Sequence, residues 1–313
     1  MIFTSIVPQN SKPLKPLGVY LAERFTYYAP EQWLEKIADG KITVNGMIAN
    51  TADYAPAGAT ITYDAGEFDE PAANLDYTII YEDEWFLGVD KPGNLLVHRA
   101  GRSFRNNLVY QLRYVHTPPF PDIHATHRLD RDTSGVILFA KKTEARVAMG
   151  KQFETGTVDK EYLAVVCGVP SQNLKKIDIP IGKDTKSEIS YKYCADTDGK
   201  DAVTLVEECT PVGQCHALLR LRPLTGRTHQ IRVHCAASGY PLVGDKLYTM
   251  EEQVYMQWRD NPSAFTGVID FYRHALHCRS IGFNHPYTNK YCTIESAMPD
   301  DMAELIKKLA CSA

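Results

Sequence analysis

The chain has 313 residues, 44% hydrophobic and 23% charged, with a formal net charge of −4 at pH 7. These proportions are ordinary for a globular protein and argue against one coated in positive charge, although a local basic groove is compatible with them. No apolar run approaches the roughly 20 residues of a membrane helix. The start, MIFTSIVPQNSKP, lacks the basic stretch and long apolar core of a secretory signal, so we expect a cytoplasmic protein.

The first block, residues 14–63, predicts a small α/β module. The stretch LGVYLAERF has apolar residues spaced three and four apart, which indicates a helix. A second helix is predicted from Pro30 to near Gly40. The strand KITVNG, a turn at Asn45-Gly46, a returning strand and the strand PAGATITY complete the block.

Residues 64–76 are polar and acidic and contain Pro71, so we expect a linker. Residues 77–313 then alternate many strand-like runs, SEISYKYC at residues 187–194 among them, with short connections, and only four clear helices intervene. This pattern favours an α+β fold with a large mixed, mainly antiparallel sheet rather than a doubly wound fold. The chain contains neither a G-x-G-x-x-G nor a P-loop motif. Its eight cysteines are scattered and form no C-x-x-C pair, so we expect reduced thiols and no metal site.

Charged side chains crowd the stretch HRLDRDTSG, residues 127–135, just before the apolar run VILFAKK. A charged loop fixed by a buried strand is a common layout for an active site. A turn closed by salt bridges, in which Asp130 or Asp132 pairs with a nearby arginine, explains the same residues. This stretch alone leaves both interpretations open.

A second constellation, LTGRTHQIRVH, predicts a sharp turn at Gly226 followed by a helix. Arg227 and Arg232 are five positions apart, roughly 140° around a helix, so they need not serve the same partner. One of them can meet a carboxylate while the other meets solvent or phosphate. His229 and His234 are interpreted as packed structural groups, and Tyr162, in the strand KEYLAVVCG, as a core residue on its own merits.

Taken in order, HRLDRDTSGV, KEY, LTGRTHQIRVH, GYPLVGD and ALHCRSIGFNHP resemble the RluA family of RNA pseudouridine synthases, from about Asp90 to Pro286. The stretches YLAERF and ITVNGMIAN are similar to an S4 RNA-binding module. The resemblance implies a pseudouridine synthase catalytic domain over residues 77–313 with an S4-like module over 14–63.

The resemblance also implies that uridines in structured RNA, ribosomal or transfer, are isomerised to pseudouridine. It implies no cofactor, no metal and no membrane, with RNA as the partner of a monomeric enzyme. The alternative function that the same motifs allow is that of a catalytically silent S4-type RNA-binding protein. A two-metal nuclease using Asp130 and Asp132 lacks a second acidic motif, and a base deaminase lacks its zinc-ligand pattern.

In the family's pattern Asp130 is the catalytic carboxylate, and Arg227 is the cation that pairs with it. Tyr162 stacks on the uracil, and Arg128 holds the flipped nucleotide or fills the space it leaves. The remaining substrate-binding residues that the resemblance implies are His127, Arg131 and Arg232.

Downstream of the HRLD stretch, Lys141, Lys142, Arg146 and Lys151 predict either a phosphate-contacting rim or a solvated helix face. The segment from Tyr248 to Tyr272 predicts a packed excursion with a helix near residues 251–258, to which we assign no function.

Overall fold

A computed structural model describes residues 2–10, 14–25, 28–66, 70–265 and 271–311. The chain divides into two compact units, Met1–Ala72 with Arg99–Arg105, and Ala73–His98 with Asn106–Ala313. Across the ranges given above, no helix has the length and apolarity that crossing a membrane requires.

The first unit is a four-stranded antiparallel sheet with two helices. Its elements are β1 Ile2–Ile6, α1 Leu17–Arg24, α2 Pro30–Ala38, β2 Ile42–Val44, β3 Met47–Ile48 and β4 Thr60–Asp64, and the strand order is β1-β4-β2-β3. Asn45 and Gly46, with φ of 52° and 81°, form the tight turn between β2 and β3, as two-residue hairpins prefer. Trp33 of α2 is fully buried in the core. The unit begins before residue 14, because β1 pairs with β4.

The second unit contains a ten-stranded sheet in which every neighbouring pair is antiparallel except β8 and β15. The prediction of an α+β fold with a large, mainly antiparallel sheet is confirmed. Eight of the strands follow the order β10-β13-β14-β9-β15-β8-β6-β5, while β7 pairs with β8 and β16 with β15. The bounds are β5 Thr78–Glu82, β6 Phe86–Lys91, β7 His124–Ala125, β8 Ser134–Ala140, β9 Asp159–Cys167, β10 Lys176–Asp178, β13 Val203–Val212, β14 His216–Pro223, β15 Leu276–Asn284 and β16 Tyr291–Glu295.

Short helices and a separate hairpin complete this unit. They are α3 Leu108–Tyr110 with a π-helical turn Gln111–Val115, α4 Thr143–Glu154, the strands β11 Ile181–Lys183 and β12 Tyr193–Ala195, α5 Gln230–Ala237, α6 Lys246–Thr249, α7 Glu252–Asp260, a 3₁₀ turn Pro262–Phe265 and α8 Asp300–Cys311. The helix expected near residues 251–258 is therefore α7, and residues 266–270 of the same segment lie outside the described residues.

Strand β8 is buried along all seven residues, which explains its continuous apolar sequence. It runs parallel to β15 at very close range at Gly135, where a Cβ atom would lie 2.1 Å from the carbonyl oxygen of Cys278. Gly135 also has a φ of 107°, which side-chain-bearing residues rarely adopt. The loop before β8 is thus attached to the centre of the sheet.

The strand predicted for SEISYKYC, residues 187–194, is mostly a turn, and only its end enters β12. The Ser187 hydroxyl accepts a hydrogen bond from the Ile189 amide at 3.0 Å and donates one to Glu252 at 2.8 Å. The bond between Ile189 and Ser187 is local, and local bonds of this kind compete with strand pairing, a recurrent property of serine.

Candidate active site

A cavity of about 510 Å³ opens in the second unit. The loop between β7 and β8, residues 126–133, forms one wall, and the turn between β14 and α5 forms another. Of the residues singled out in the sequence, those that line the cavity are His127, Arg128, Asp130, Tyr162, Arg227, His229 and Arg232. Arg131 is not among the lining residues, and its Nε donates to Asn94 Oδ1 at 2.9 Å.

Hydrogen bonds fix the backbone of this loop at Asp130 and at the residue after it. Lys91 is fully buried, and its Nζ donates to the carbonyl oxygens of Pro92, Leu95 and Arg131 at 2.8, 2.9 and 3.1 Å. The Thr133 amide donates to the Asp130 carbonyl at 3.2 Å. A buried lysine head group that bonds to three carbonyls is a rigid support, although burial lowers the pKa of Lys91 to about 7. The position of the Asp130 side chain is therefore set by the core of the unit.

Asp130 meets a buried guanidinium from α5. Arg232 Nη1 donates to Asp130 Oδ2 at 3.0 Å, while its Nε and Nη2 donate to the two oxygens of Asp245 at 2.7 and 2.8 Å. The exposed fraction of the side chain is 19% for Asp130, 8% for Arg232 and 1% for Asp245. Because both oxygens of Asp245 hold the planar guanidinium, its remaining edge is aimed at Asp130.

The expected contact between Arg227 and Asp130 is not formed. Arg227 lies at the turn before α5 and is exposed, and its Nε donates to the carbonyl oxygen of Asp201 at 2.9 Å. Arg232 lies inside α5, on the side that faces Asp130. The prediction that Arg227 pairs with the carboxylate is therefore wrong, because Arg227 lies in the turn before α5, where it bonds to Asp201, and Arg232 lies inside the helix beside Asp130.

The charges around Asp130 keep it ionised. Burial alone would raise the pKa of its carboxyl, but the neighbouring His229 and Arg232 outweigh burial and hold that pKa below its usual value. At neutral pH the cation responsible is Arg232, since burial lowers the pKa of His229 to about 4. A mostly buried carboxylate that stays charged at the wall of a cavity is suited to nucleophilic or basic chemistry.

His229 and Tyr248 form a further layer beside Asp130; the sequence analysis interpreted His229 as a structural group and did not single out Tyr248 for the site. His229 has a φ of 57°, which residues with a side chain adopt uncommonly. Its Nδ1 lies 2.9 Å from the Tyr248 hydroxyl and its Nε2 lies 3.8 Å from Asp130 Oδ2. The Arg232 guanidinium lies 5.0 Å from the centroid of the Tyr248 ring.

Asp245 was also missed, although GYPLVGD was recognised as a motif. A signal for it existed in the sequence. An arginine buried in a helix needs a carboxylate partner, and Asp245 is the acid closest after Arg232 along the chain.

Tyr162 presents a neutral phenol to the cavity. It is 9% exposed on β9, and its hydroxyl is hydrogen-bonded to the Cys278 side chain on the paired strand β15. Burial raises the pKa of Tyr162 well above its usual value. The phenol therefore stays protonated, and its aromatic ring is available at the cavity wall.

His127 is a neutral acceptor, and this predicts a pH dependence of stability. Its Nε2 accepts from the Leu138 amide at 3.0 Å, and burial, with a smaller contribution from Lys160, lowers its pKa to about 3 from 6.5. Below pH 6.5 the His127 imidazole is protonated in the unfolded chain but stays neutral in the folded protein. The free energy of unfolding therefore falls as the pH drops. We expect His127→Gln, whose amide oxygen can accept the same bond, to lose less melting temperature than the parent between pH 7 and about pH 5. Equal losses in thermal melts would contradict this assignment.

Two solved human proteins share this fold. One is described as Human RNA Pseudouridylate Synthase Domain Containing 4, with a TM-score of 0.56 and 22% identity, and covers 74% of this chain and 92% of its own. The other, Human RNA Pseudouridylate Synthase Domain Containing 1, has a TM-score of 0.54 and 26% identity, and covers 77% of this chain and 97% of its own. The fold is that of the pseudouridylate synthases.

Sequence comparison gives the family. The model for RNA pseudouridylate synthase matches residues 86–237. The chain is 35% identical to an uncharacterized RNA pseudouridine synthase, YlyB, of Bacillus subtilis, over 89% of this chain and 88% of that protein. It is 33% identical to ribosomal large subunit pseudouridine synthase D of Pseudomonas aeruginosa, over 92% and 90% respectively. The chain therefore belongs to the RluA family of RNA pseudouridine synthases and is an isomerase.

Proposed function

We propose that this enzyme converts uridines of ribosomal RNA to pseudouridine, with Asp130 as the essential carboxylate and no cofactor. The observation that carries the proposal is the ionised Asp130 held by Arg232 in the wall of the cavity. Several relatives named ribosomal large subunit pseudouridine synthase D, from Pseudomonas, Zymomonas and Vibrio, support ribosomal RNA as the substrate. We place its action in the cytoplasm, as a monomer.

The reaction sets clear requirements for the site. The N1–C1′ bond breaks, the uracil turns, a C5–C1′ bond forms, the proton on C5 leaves and N1 gains one, so the atoms balance without an added reactant. Asp130 either attacks C1′ or removes a sugar proton, and both routes need a charged carboxylate. Arg232 keeps the Asp130 carboxyl ionised by lowering its pKa. The guanidinium itself remains charged when buried because its own pKa is very high.

The target uridine has to leave its stack to reach Asp130, at a cost of about a few kcal/mol. Tyr162 lines the cavity and offers an aromatic face, and stacking of this kind contributes roughly 1–3 kcal/mol per base. Arg128 is exposed at the same cavity, and we assign it to the displaced nucleotide or its phosphate. The S4-like module, residues 14–63, is assigned as a further RNA contact on resemblance alone.

The test is a pseudouridine map of ribosomal and transfer RNA from cells with and without the gene. We expect at least one ribosomal pseudouridine to disappear with the gene, to return with the parent protein, and not to return with Asp130→Asn. If the missing positions lie only in transfer RNA, ribosomal RNA is not the substrate. If no position changes, the proposed activity fails and a silent RNA-binding role becomes the better account.

A further inference from the structure

Most arginines of the second unit are matched with carboxylates of the protein itself. Such ion pairs involve Arg220, Arg222, Arg232, Arg259, Arg273 and Arg279. Four other arginines differ, because no carboxylate of the residues that the structure describes lies within 4.0 Å of Arg113, Arg128, Arg146 or Arg227. Three of them, Arg113, Arg128 and Arg146, lie on elements around strand β7.

Strand β7 and its neighbours bring these three arginines near one another, because Arg128 follows β7 by three residues and helix α4, which carries Arg146, packs against β7. Arg128 and Arg113 both lower the pKa of His98, and Arg113 and Arg146 both lower the pKa of His124, in each case after burial as the larger cause. Arg113 is also placed directly, since its Nη2 donates to the carbonyl oxygen of Ile123, the residue before His124, at 2.8 Å. We call Arg113, Arg128, Arg146, His98 and His124 the basic strip.

The basic strip begins at the cavity, because Arg128 lines it. It continues through the π-helical turn with Arg113 and strand β7 with His124 to Arg146, which is exposed on α4. Asp122 lies near His124 and opposes the effect of the two guanidinium groups on its pKa. Guanidinium groups without a carboxylate partner of their own are available to an external anion such as a phosphate.

Two lysines close to Arg146 in the sequence, Lys141 and Lys142, are paired with glutamates of the protein itself. Lys141 pairs with Glu82 at 2.7 Å and Lys142 with Glu84 at 2.5 Å. The sequence analysis left two interpretations open for the basic residues that follow the HRLD stretch. A solvated surface neutralised by the protein's own acids fits Lys141 and Lys142, whereas a phosphate-contacting rim fits Arg146. Arginine is also the residue whose forked donors match phosphate oxygens.

An aromatic pair beside the strip favours nucleic acid over an acidic protein as the partner. Tyr114, next to Arg113, is 68% exposed, and its ring centroid lies 4.9 Å from that of Tyr110. Proteins bind single-stranded RNA by stacking bases on exposed aromatic rings and by contacting phosphates with arginines, and both residue types are present here.

We propose that the basic strip binds consecutive phosphates of the RNA segment that flanks the uridine in the cavity. This inference rests on the proposed function and adds the path of the RNA backbone across the enzyme. The strip contributes affinity and positioning, whereas Asp130 carries out the chemistry.

Filter binding of unfractionated cellular RNA at several salt concentrations tests the strip, with Arg146→Gln as the main variant because Arg146 is exposed. Each lost phosphate contact reduces the slope of log affinity against log salt by about 0.7 to 0.9, equivalent to roughly four-fold weaker binding near 0.15 M salt. Arg113→Gln is the second variant, with its melting temperature measured because it also loses the bond to Ile123. Arg259→Gln removes the same charge from an exposed arginine paired with Asp260 and is the matched control.

We expect Arg146→Gln and Arg113→Gln to flatten the salt slope and raise KM with little change in kcat, and Arg259→Gln to match the parent. If both strip variants bind RNA as Arg259→Gln does, the inference is overturned, even when ribosomal pseudouridines are still formed. If the parent forms no pseudouridine in ribosomal RNA but the strip variants still weaken RNA binding, the proposed substrate fails and the strip stands. The two failures are therefore distinguishable.

Discussion

Arg232→Gln is expected to lower the free energy of unfolding by about 3–5 kcal/mol and to abolish measurable pseudouridine formation. The change removes a cation that bridges two carboxylates, one of them, Asp245, only 1% exposed. Without the guanidinium, Asp245 is left as an uncompensated buried charge, and Asp130 loses the group that lowers its pKa at neutral pH. Urea unfolding and a single-turnover assay measure the two effects separately.

Arg227→Gln is the matched control, because it is the same substitution in the same motif. Arg227 is exposed and donates to a carbonyl oxygen of Asp201, so we expect stability within about 0.5 kcal/mol of the parent. If Arg227→Gln proves as damaging to stability as Arg232→Gln, the assignment of the carboxylate's partner to Arg232 is wrong. Arg232→Lys adds a graded case, since lysine keeps the charge but lacks the fork that reaches both aspartates.

Asp130→Asn is expected to slow single-turnover pseudouridine formation by about 10⁴-fold or more while leaving the fold intact. The amide has nearly the volume of the carboxyl, and its oxygen still accepts from Arg232 Nη1, which Asp245 continues to hold. What is lost is the negative charge that attacks C1′ or takes a sugar proton. RNA affinity, measured in parallel, is expected to stay close to that of the parent.

The control for this substitution is Asp132→Asn, two residues along the same loop. Asp132 does not line the cavity, and its backbone carbonyl, which accepts from Arg273 at 3.1 Å, is unaffected. We expect the rate to change by no more than a few-fold. A residual rate for Asp130→Asn comparable with that of Asp132→Asn would remove Asp130 from the chemistry.

The sequence predicted the elements whose signals are local. The fully apolar run of β8 and the turn at Asn45-Gly46 appear where their residues indicate. It did not predict β1, a strand at the edge of its sheet whose alternate residues are exposed and whose short sequence IFTSI carries a weak pattern. The strand expected in SEISYKYC does not form for a different reason. Ser187 and Glu188 donate hydrogen bonds to Glu252, which lies 65 and 64 residues away from them in the sequence.

In the candidate site, too, residues within local motifs could be predicted, whereas contacts between residues far apart in the sequence could not. Asp130 and Tyr162 could be selected from their motifs, and both line the cavity. The choice between Arg227 and Arg232 could not be made, because it depends on which side of α5 faces a loop 102 positions earlier. The basic strip could not be predicted either, because Arg113 and Arg146 lie 33 positions apart in the sequence, on elements that meet near β7 only in the folded unit.

Titration of the Asp130 carboxyl by carbon-detected NMR tests most directly whether this group is an ionised carboxylate held by Arg232. The Asp130 signal can be assigned as the one missing from the spectrum of Asp130→Asn. The expected pKa lies below 3.8 in the parent and moves upward in Arg232→Lys, where the bidentate support is lost. A pKa above 3.8 in the parent, or one that Arg232→Lys leaves unchanged, would contradict the proposed role of this pair.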